Sequence, residues 1–341
     1  MVPGLERLPV HPTAVTIFGA TGDLAHRKLL PALYNLAHEG SLPERFELIG
    51  IARSGHSDDE FREQARASIE RFSRTKPDHD VLDGLLENIR YLPGSFDDAD
   101  VYRRIGQTLR DFEERDGQPL NRIFYLSTAP QFFPVIAGAL GEADLARTEG
   151  VETRIVIEKP FGYDLESAQE LNRLVLDVFD ESQVYRIDHY LGKETVQNLL
   201  AFRFANALFE PVWNRNYIDN VQITAAEDIG IEGRAAYYER AGALRDLVQN
   251  HMLQLLALLT IEPPASFEAN RLRDEKVKLL ESIPTPQLRE VSKLALRAQY
   301  SALDSTMSQA NALAKYVTQQ FYFNNSFSQS LNSNTGNGNG G

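Results

Sequence analysis

Short apolar runs alternate with helical patterns along the first half of the chain. The runs are rich in β-branched and aromatic residues, and apolar residues recur at helical spacing between them. The predicted strands are residues 14–18, 46–52, 89–92, 121–127, 154–157 and 182–187, and the predicted helices are 24–36, 61–72, 81–89, 101–112 and 132–140. This alternation predicts an α/β fold with a doubly wound parallel sheet, whose ligands bind at the carboxyl ends of the strands.

The pattern changes after the last of these strands. It predicts a helix over residues 194–204, a strand over 217–226 and a strongly apolar helix over 242–259. These elements predict a second, α+β domain. We therefore expect one domain over residues 1–186 and another over 187–283.

The chain has a different character from residue 284 onward, where Ser, Asn and Gln are frequent. Apolar residues at alternating spacings of four and three over 296–321 predict a heptad-patterned helix within residues 284–322. Such a helix either associates as a coiled coil or packs as a single amphipathic helix on its own domain. Residues 323–341 are of low complexity, and we expect them to be disordered.

Chemically distinctive residues directly follow several predicted strands. The turn Gly19-Ala20-Thr21-Gly22 follows the first strand, Arg53 follows the second, and Lys159 follows the fifth. A strand, a glycine turn and a helix form the Rossmann-like arrangement that holds a pyrophosphate, although a plain tight turn also fits this spacing.

Arg53 bears on the choice of dinucleotide. An NAD-selecting domain places an acidic residue at the end of the second strand, where it binds the ribose hydroxyls. Arg53 would instead attract a 2′-phosphate, and the Thr21 hydroxyl can add a hydrogen bond. We therefore predict NADP as the preferred cofactor, with NAD as the alternative. If Arg53 binds no ligand, it is a solvated charge on a loop.

The segment 185–194 concentrates ionisable side chains in a few residues. If the chain is helical there, His189 and Lys193 share one face and can converge on a single phosphate. Asp188 and Tyr190 add a carboxylate and a phenol beside them. This composition suits a phosphorylated polyol, while a helix start with solvated charges is the structural alternative.

His251 lies among leucines in the predicted apolar helix, with Asp246 about one turn before it. Asp188 is a further carboxylate that the fold could bring to it. A carboxylate fixes the tautomer of an imidazole and raises its basicity, which makes the histidine a general base near neutral pH. The alternative is a satisfied core histidine.

Composition excludes several classes of function. The 341 residues carry a formal net charge of −13, which disfavours nucleic acids and anionic membrane surfaces as partners. The absence of cysteine excludes disulfides, thiolate metal sites and cysteine nucleophiles, and we expect no metal site. No apolar run approaches the roughly 20 residues of a membrane span. We therefore expect a cytoplasmic protein.

Four motifs in this order and spacing resemble the glucose-6-phosphate dehydrogenase family. They are Gly-Ala-Thr-Gly-Asp-Leu-Ala, Glu-Lys-Pro-Phe-Gly, Arg-Ile-Asp-His-Tyr-Leu-Gly-Lys-Glu and Arg-Asp-Leu-Val-Gln-Asn-His-Met-Leu-Gln. The third is highly specific, and the resemblance covers residues 10–283. It implies oxidation of glucose 6-phosphate at C1, with hydride transfer to NADP.

The resemblance also implies roles for individual residues. The catalytic pair would be Asp188 and His251; the substrate-binding residues would be His189, Tyr190, Lys193, Lys159, Glu227 and Asp246; the NADP-binding residues would be Gly19, Thr21, Gly22, Asp23, Leu24, Arg53 and Lys159. Two positions depart from the family pattern, His26 in place of lysine and Ala129 in place of proline.

The resemblance further implies that family members continue past residue 283 into a large antiparallel sheet, which forms their dimer and covers the substrate helix. Here we expect that sheet to be missing, so that a homo-oligomer would need another interface. Segments 302–307 and 316–321 instead resemble the C-terminal helix of the flagellar filament-cap (hook-associated) protein. A non-catalytic dinucleotide-binding module and a coiled-coil assembly protein are the alternative functions.

Overall fold

The centre of the structure is a parallel sheet of six strands. The computed structural model describes residues 11–224 and 242–284. The strands are β1 (Thr13–Phe18), β2 (Phe46–Ala52), β3 (Ile89–Pro93), β4 (Asn121–Leu126), β5 (Thr153–Ile157) and β6 (Val184–Arg186), in the order β3-β2-β1-β4-β5-β6. The order reverses between β1 and β4, where a doubly wound sheet opens a crevice for ligands. The predicted α/β fold is confirmed.

Helices cover both faces of this sheet. They are α1 (Leu30–His38), α2 (Asp58–Phe72), α3 (His79–Glu87), α4 (Ala99–Asp116), α5 (Phe133–Glu142) and α6 (Leu165–Leu176). Ala14 and Phe18 of β1 belong to the core cluster that includes buried residues of α4, α5 and α6. Val15 and Ile17 belong to the cluster that includes residues of α1, α2 and α3. The apolar runs in the sequence are therefore strands buried on both sides.

Three helices begin before their apolar stripes. The Ser57 hydroxyl accepts from the backbone N–H of Glu60, whose carboxylate accepts from the backbone N–H of Ser57, and this capping box begins α2 at Asp58. Asp78 and Asp98 cap α3 and α4 with their carboxylates, which accept hydrogen bonds from backbone N–H groups of the first helical turn. Capping residues are polar, so an apolar pattern alone places these helix starts too late.

Two segments have the wider turn of a π-helix. The first, Ala25–Leu29, directly precedes α1, and the second, Leu244–Met252, directly precedes α8 (Leu253–Thr260). Between them along the chain, α7 (Glu194–Phe204) lies at the predicted position. The helices predicted over residues 24–36 and 242–259 are present, but each begins with π-helical rather than α-helical backbone.

The strand predicted over residues 217–226 is wrong for the part that the structure describes. Residues 217–224 contain a turn at Tyr217 and no strand, and the Tyr217 side chain is 70% exposed. The alternating pattern is present, but a strand also needs a neighbour to pair with. Residues 225–241 lie outside the described residues.

The chain divides into two compact units, Met1–Thr260 and Ile261–Gly341. The described part of the second unit contains the helix α9 (Ala269–Ser282). The predicted domain boundary after residue 186 stays a prediction, and the predicted tail beyond residue 284 lies outside the described residues. Within residues 11–224 and 242–284, no helix has both the length and the apolar character that crossing a membrane requires.

Candidate active site

Lys159 joins the carboxyl edge of the sheet to the second π-helical segment. It lies two residues beyond the end of β5, and the Lys159–Pro160 peptide bond is cis. Its ammonium group donates to Asp246 Oδ1 at 3.1 Å and lies 3.0 Å from Nε2 of His251. Lys159 therefore lies near the carboxyl end of β5 and contacts the second π-helical segment, while its role toward a ligand stays a prediction.

The π-helical backbone of Leu244–Met252 explains why two residues meet Lys159. Residues five apart in an α-helix point about 140° away from each other. In a π-helix the backbone bonds connect residues five apart, so these residues lie nearly above one another. Asp246 and His251 are five apart and therefore share the face that contacts Lys159.

His251 is held by Asp188. The imidazole Nδ1 lies 2.6 Å from Oδ1 of Asp188, and the side chains are 2% and 15% exposed respectively. Because Asp188 is an acceptor, Nδ1 carries the proton and Nε2 presents its lone pair, which accepts a hydrogen bond from Lys159. This tautomer leaves Nε2 as the atom that can take a proton from a ligand.

Asp188 has two further properties. Its Oδ1 accepts a hydrogen bond from the backbone N–H of Tyr190 at 2.9 Å, which caps the short 3₁₀ helix His189–Gly192 and fixes the carboxylate. Its Oδ2 is buried and has no hydrogen-bond partner among the described residues. A buried carboxylate oxygen without a partner carries a desolvation penalty that a donor from a ligand would remove.

Two rings pack against His251. The ring of Tyr190 is stacked on the imidazole, with centroids 4.2 Å apart and an interplanar angle of 11°. The ring of His189 meets the imidazole edge to face at 4.6 Å. Tyr190 is buried, so its ring excludes water from one face of His251.

The structure changes the expected geometry of Lys193. The 3₁₀ helix ends at Gly192, and Lys193 has extended backbone before α7 begins at Glu194. Lys193 therefore does not share a helical face with His189. Its ammonium group instead lies 3.7 Å from the centroid of the Tyr190 ring, so the two side chains still reach the same cluster.

His189 lies in a cationic environment. Partial desolvation first, and then the neighbouring His251 and Lys159, lower the pKa of His189, although Asp188 raises it. The side chain is nevertheless exposed, so a ligand can reach it. Without a ligand, His189 is therefore neutral near neutral pH and acts as a hydrogen-bonding group rather than as a fixed cation.

The glycine turn after β1 is tightly packed against β4. Gly19 has φ +86°, and a Cβ there would lie 2.1 Å from the carbonyl oxygen of Ser127, so only glycine fits. The backbone N–H groups of Gly19 and Gly22 donate to the carbonyl oxygens of Ile51 and Gly19 at 2.8 and 2.9 Å. The two glycines thus shape the turn and do not offer their N–H groups to a ligand.

Other groups of the turn are available to a phosphate. The backbone N–H groups of Thr21, Asp23 and Leu24 have no acceptor among the described residues, as expected at a helix start. The Thr21 hydroxyl lies 3.3 Å from that of Ser54, next to Arg53 at the end of β2. Arg53 is exposed and makes no ion pair with a described residue. These donors fit a phosphorylated dinucleotide.

Glu227, a predicted substrate-binding residue, lies outside the described residues.

The cluster around His251 also has the composition of a metal site. Asp188, His189 and His251 each present a ligand atom within 4.8 Å of the others, the spacing of a metal site. Since the Lys159 ammonium occupies the Nε2 side of His251 and Asp188 binds its Nδ1, this set is better organised for proton transfer than for a cation.

The sequence analysis did not identify a hydrogen bond that lies beside Lys159. The hydroxyl of Tyr125 on β4 donates to Glu158 Oε1 at 2.6 Å, directly before Lys159. Burial first, and then this bond, raise the pKa of Tyr125, so the phenol stays a donor. The pairing of β4 with β5 brings the two residues together, which the adjacent strand ends could have indicated.

Comparison with known proteins gives two matching family models. Residues 16–198 match the model described as the glucose-6-phosphate dehydrogenase NAD binding domain. Residues 200–330 match the C-terminal domain model of the same family. The second match extends past residue 284, into the segment for which an unrelated tail was predicted. The resemblance of that tail to the flagellar filament-cap protein has no support among the comparisons.

Relatives and solved structures agree with these models. "Glucose-6-phosphate 1-dehydrogenase 2" of Mycobacterium tuberculosis is 47% identical over 300 residues, covering 87% of this chain and 58% of that protein. The Bacillus subtilis enzyme is 44% identical over 288 residues, covering 84% and 58%. The chain therefore spans a little over half the length of these relatives.

Among solved structures, a glucose-6-phosphate dehydrogenase in complex with its substrate glucose-6-phosphate has a TM-score of 0.74 at 39% identity, covering 80% of this chain and 56% of that one. Glucose-6-phosphate 1-dehydrogenase from Mycobacterium avium has a TM-score of 0.72 at 37% identity, covering 81% and 57%.

Proposed function

Because the chain belongs to the glucose-6-phosphate dehydrogenase family, we propose that it oxidises glucose 6-phosphate at C1 to 6-phosphogluconolactone with NADP as oxidant. The single observation that carries the proposal is the arrangement around His251. A buried imidazole with its proton on the Asp188 side presents a basic nitrogen next to a lysine, at the carboxyl edge of a dinucleotide-binding sheet. That edge is where a sugar and a nicotinamide can meet.

The proton transfer uses His251. In the proposed reaction its Nε2 takes the proton of the C1 hydroxyl while the C1 hydride leaves. The resulting imidazolium is stabilised by the Asp188 carboxylate at 2.6 Å, and the low exposure of both side chains strengthens this interaction. Lys159 lies 3.0 Å from the same nitrogen, so it can donate to a sugar oxygen placed there.

Substrate binding uses the remaining side chains of the cluster. We propose that His189, Tyr190 and Lys193 bind the phosphate, with Lys193 supplying positive charge and neutral His189 supplying a hydrogen bond. A bound phosphate dianion would in turn favour protonation of His189. Asp246, together with Glu227, would accept hydrogen bonds from sugar hydroxyls.

The dinucleotide would be held by the turn after β1 and by the end of β2. The chemistry that NADP supplies when bound is acceptance of the C1 hydride. The free N–H groups of Thr21, Asp23 and Leu24 would bind the pyrophosphate, and Arg53 with the Thr21 hydroxyl would bind the 2′-phosphate. Gly19 and Gly22 would contribute through the shape of the turn, and Lys159 through its place at the cofactor crevice.

A direct assay tests this proposal. Purified chain is mixed with NADP and glucose 6-phosphate, and the absorbance of the reduced nicotinamide is followed in the near ultraviolet. Turnover that requires the 6-phosphate, with unphosphorylated glucose as the matched control substrate, supports the assignment. Binding of NADP without any turnover would instead favour the alternative of a non-catalytic dinucleotide-binding module.

We further propose that the C-terminal tail, which resembles a helix of the flagellar filament-cap protein, influences the oligomeric state of the chain. We expect the heptad pattern within residues 284–322 to promote association of the chain with itself. Measuring the particle mass with and without residues 284–341 tests this, since an unchanged mass would remove the tail as an interface. Two further expectations stay predictions. The partner is a small anionic substrate rather than nucleic acid, and the protein is cytoplasmic.

A further inference from the structure

A second cleft lies away from the Asp188–His251 cluster. It has a volume of about 650 Å³ and opens between the first π-helical turn and the last two turns of α2. The residues lining it are Thr21, Asp23, His26, Arg27, Ala67, Ser68, Arg71 and Phe72. A volume of this size falls within the range of small-molecule sites.

Arginine side chains dominate the charge of this cleft. The guanidinium groups of Arg27 and Arg71 lie 5.7 and 5.1 Å from the centroid of the same Phe72 ring. Asp23 is the one acidic lining residue, and its carboxylate is 3.8 Å from Arg27. Arg71 makes no ion pair within the described part of the chain. The cleft is therefore locally positive in a chain whose net charge is −13.

Two further lining residues, Ser68 and His26, are held in place by hydrogen bonds. The Ser68 hydroxyl donates to the carbonyl oxygen of Gln64 at 2.8 Å, so its oxygen accepts from His26 Nδ1 at 2.7 Å. His26 thereby ties the π-helical turn to α2. The His26 ring also makes a hydrogen bond to the backbone of Thr21, so two residues that line the cleft hold it in place.

Thr21 connects the cleft to the glycine turn. It lines the cleft, and its hydroxyl also lies 3.3 Å from that of Ser54 at the end of β2. We propose that this cleft binds a phosphate ester or oligophosphate, held mainly by Arg71 and Arg27, at the outer side of the glycine turn. Guanidinium groups are the side chains best suited to such anions.

Two sources can supply this chemistry, the 2′-phosphate of the proposed NADP or a separate oligophosphate. The test is calorimetric titration of the intact chain at low salt with NADP, NAD and inorganic tripolyphosphate. The variants are Arg71→Gln and, as matched control, Arg74→Gln, which removes an exposed arginine that does not line the cleft. Circular dichroism melting of both variants checks that they remain folded.

If the coenzyme phosphate reaches the cleft, Arg71→Gln weakens NADP binding roughly tenfold and leaves NAD binding unchanged. If a separate ligand uses it, Arg71→Gln weakens tripolyphosphate binding by a similar factor and leaves NADP binding unchanged. Equal effects of Arg71→Gln and Arg74→Gln, or no effect of Arg71→Gln on any probe, overturn the proposal.

The NADP arm rests on the proposed function, whereas the tripolyphosphate arm does not. Arg53→Gln tests the coenzyme assignment separately, because Arg53 lies at the end of β2 and does not line the cleft. Loss of NADP binding in Arg53→Gln, with no effect of Arg71→Gln on any probe, would reject the cleft and keep the coenzyme site.

Discussion

Replacing Asp188 by asparagine removes a charge while keeping the local structure. An asparagine side chain can still accept from the backbone N–H of Tyr190, so the cap on the 3₁₀ helix is retained. The amide oxygen can also still accept from Nδ1 of His251. What the variant loses is the negative charge 2.6 Å from the ring that becomes cationic in the proposed reaction.

The size of the effect follows from this geometry. A hydrogen bond to a charged group contributes about 1.5–3 kcal/mol and a neutral one about 0.5–1.5 kcal/mol, so the bond alone accounts for roughly a tenfold loss in kcat. Low exposure of His251 and Asp188 increases the cost of an uncompensated imidazolium. Full loss of general-base catalysis would reach roughly 10²- to 10⁴-fold. We therefore expect kcat to fall between these limits.

Initial rates of nicotinamide reduction measure the predicted fall in kcat. We expect KM for glucose 6-phosphate to change by less than about threefold, because Asp188 does not hold the phosphate. The matched control is Asp177→Asn, a carboxylate that is 61% exposed and pairs with Arg173. A kcat of Asp188→Asn equal to that of the control would refute the role of the carboxylate in stabilising the imidazolium.

Three further predictions follow from individual contacts. Asp246→Asn weakens the ion pair with Lys159 and should raise KM for glucose 6-phosphate roughly tenfold with a smaller change in kcat, and an unchanged KM would remove Asp246 from the sugar site. Gly19→Ala forces a side chain into contact with a carbonyl oxygen at φ +86°, so its melting temperature and NADP affinity should both fall, whereas wild-type values would contradict the packing of the turn. The pKa values of His26 and His189 are lowered from 6.5 in the folded state, so the unfolded chain binds more protons and stability should fall as pH drops below about 6.5. Melting temperatures measured between pH 5 and 8 (about the range in which histidine titrates) give the dependence of stability on pH. His26→Asn should make this dependence weaker, and a stability that rises as pH falls would refute the prediction.

The sheet was predictable because each of its strands is an apolar run bounded by polar or turn residues. β1, for example, sends Phe18 to one face and Ile17 to the other, and both are buried. Strand ends were equally informative, since the positions of Gly19 and Lys159 at one edge follow from a parallel arrangement. The strand over residues 217–224 was mispredicted because local alternation carries no information about a pairing partner.

The meeting of Asp246, His251 and Lys159 was only partly predictable. An apolar pattern is the same for α- and π-helical backbone over a few residues, so the sequence indicated a helix but not the turn that aligns residues five apart. The sequence also did not show where short helices end. The 3₁₀ helix ends at Gly192, so Lys193 does not share its face with His189, although both side chains still reach the cluster. The pairing of Asp188 with His251 was inferred from the family resemblance, because local patterns do not show contacts between residues 63 positions apart.

Replacing His251 by asparagine tests the central claim most directly, because asparagine can still accept from Lys159 yet cannot take a proton. The measurement is kcat for glucose 6-phosphate oxidation together with the calorimetric Kd of the sugar phosphate. We predict that kcat falls by roughly 10²-fold or more while Kd stays within about threefold of the wild type. Turnover at the wild-type rate would contradict the assignment of Nε2 of His251 as the base.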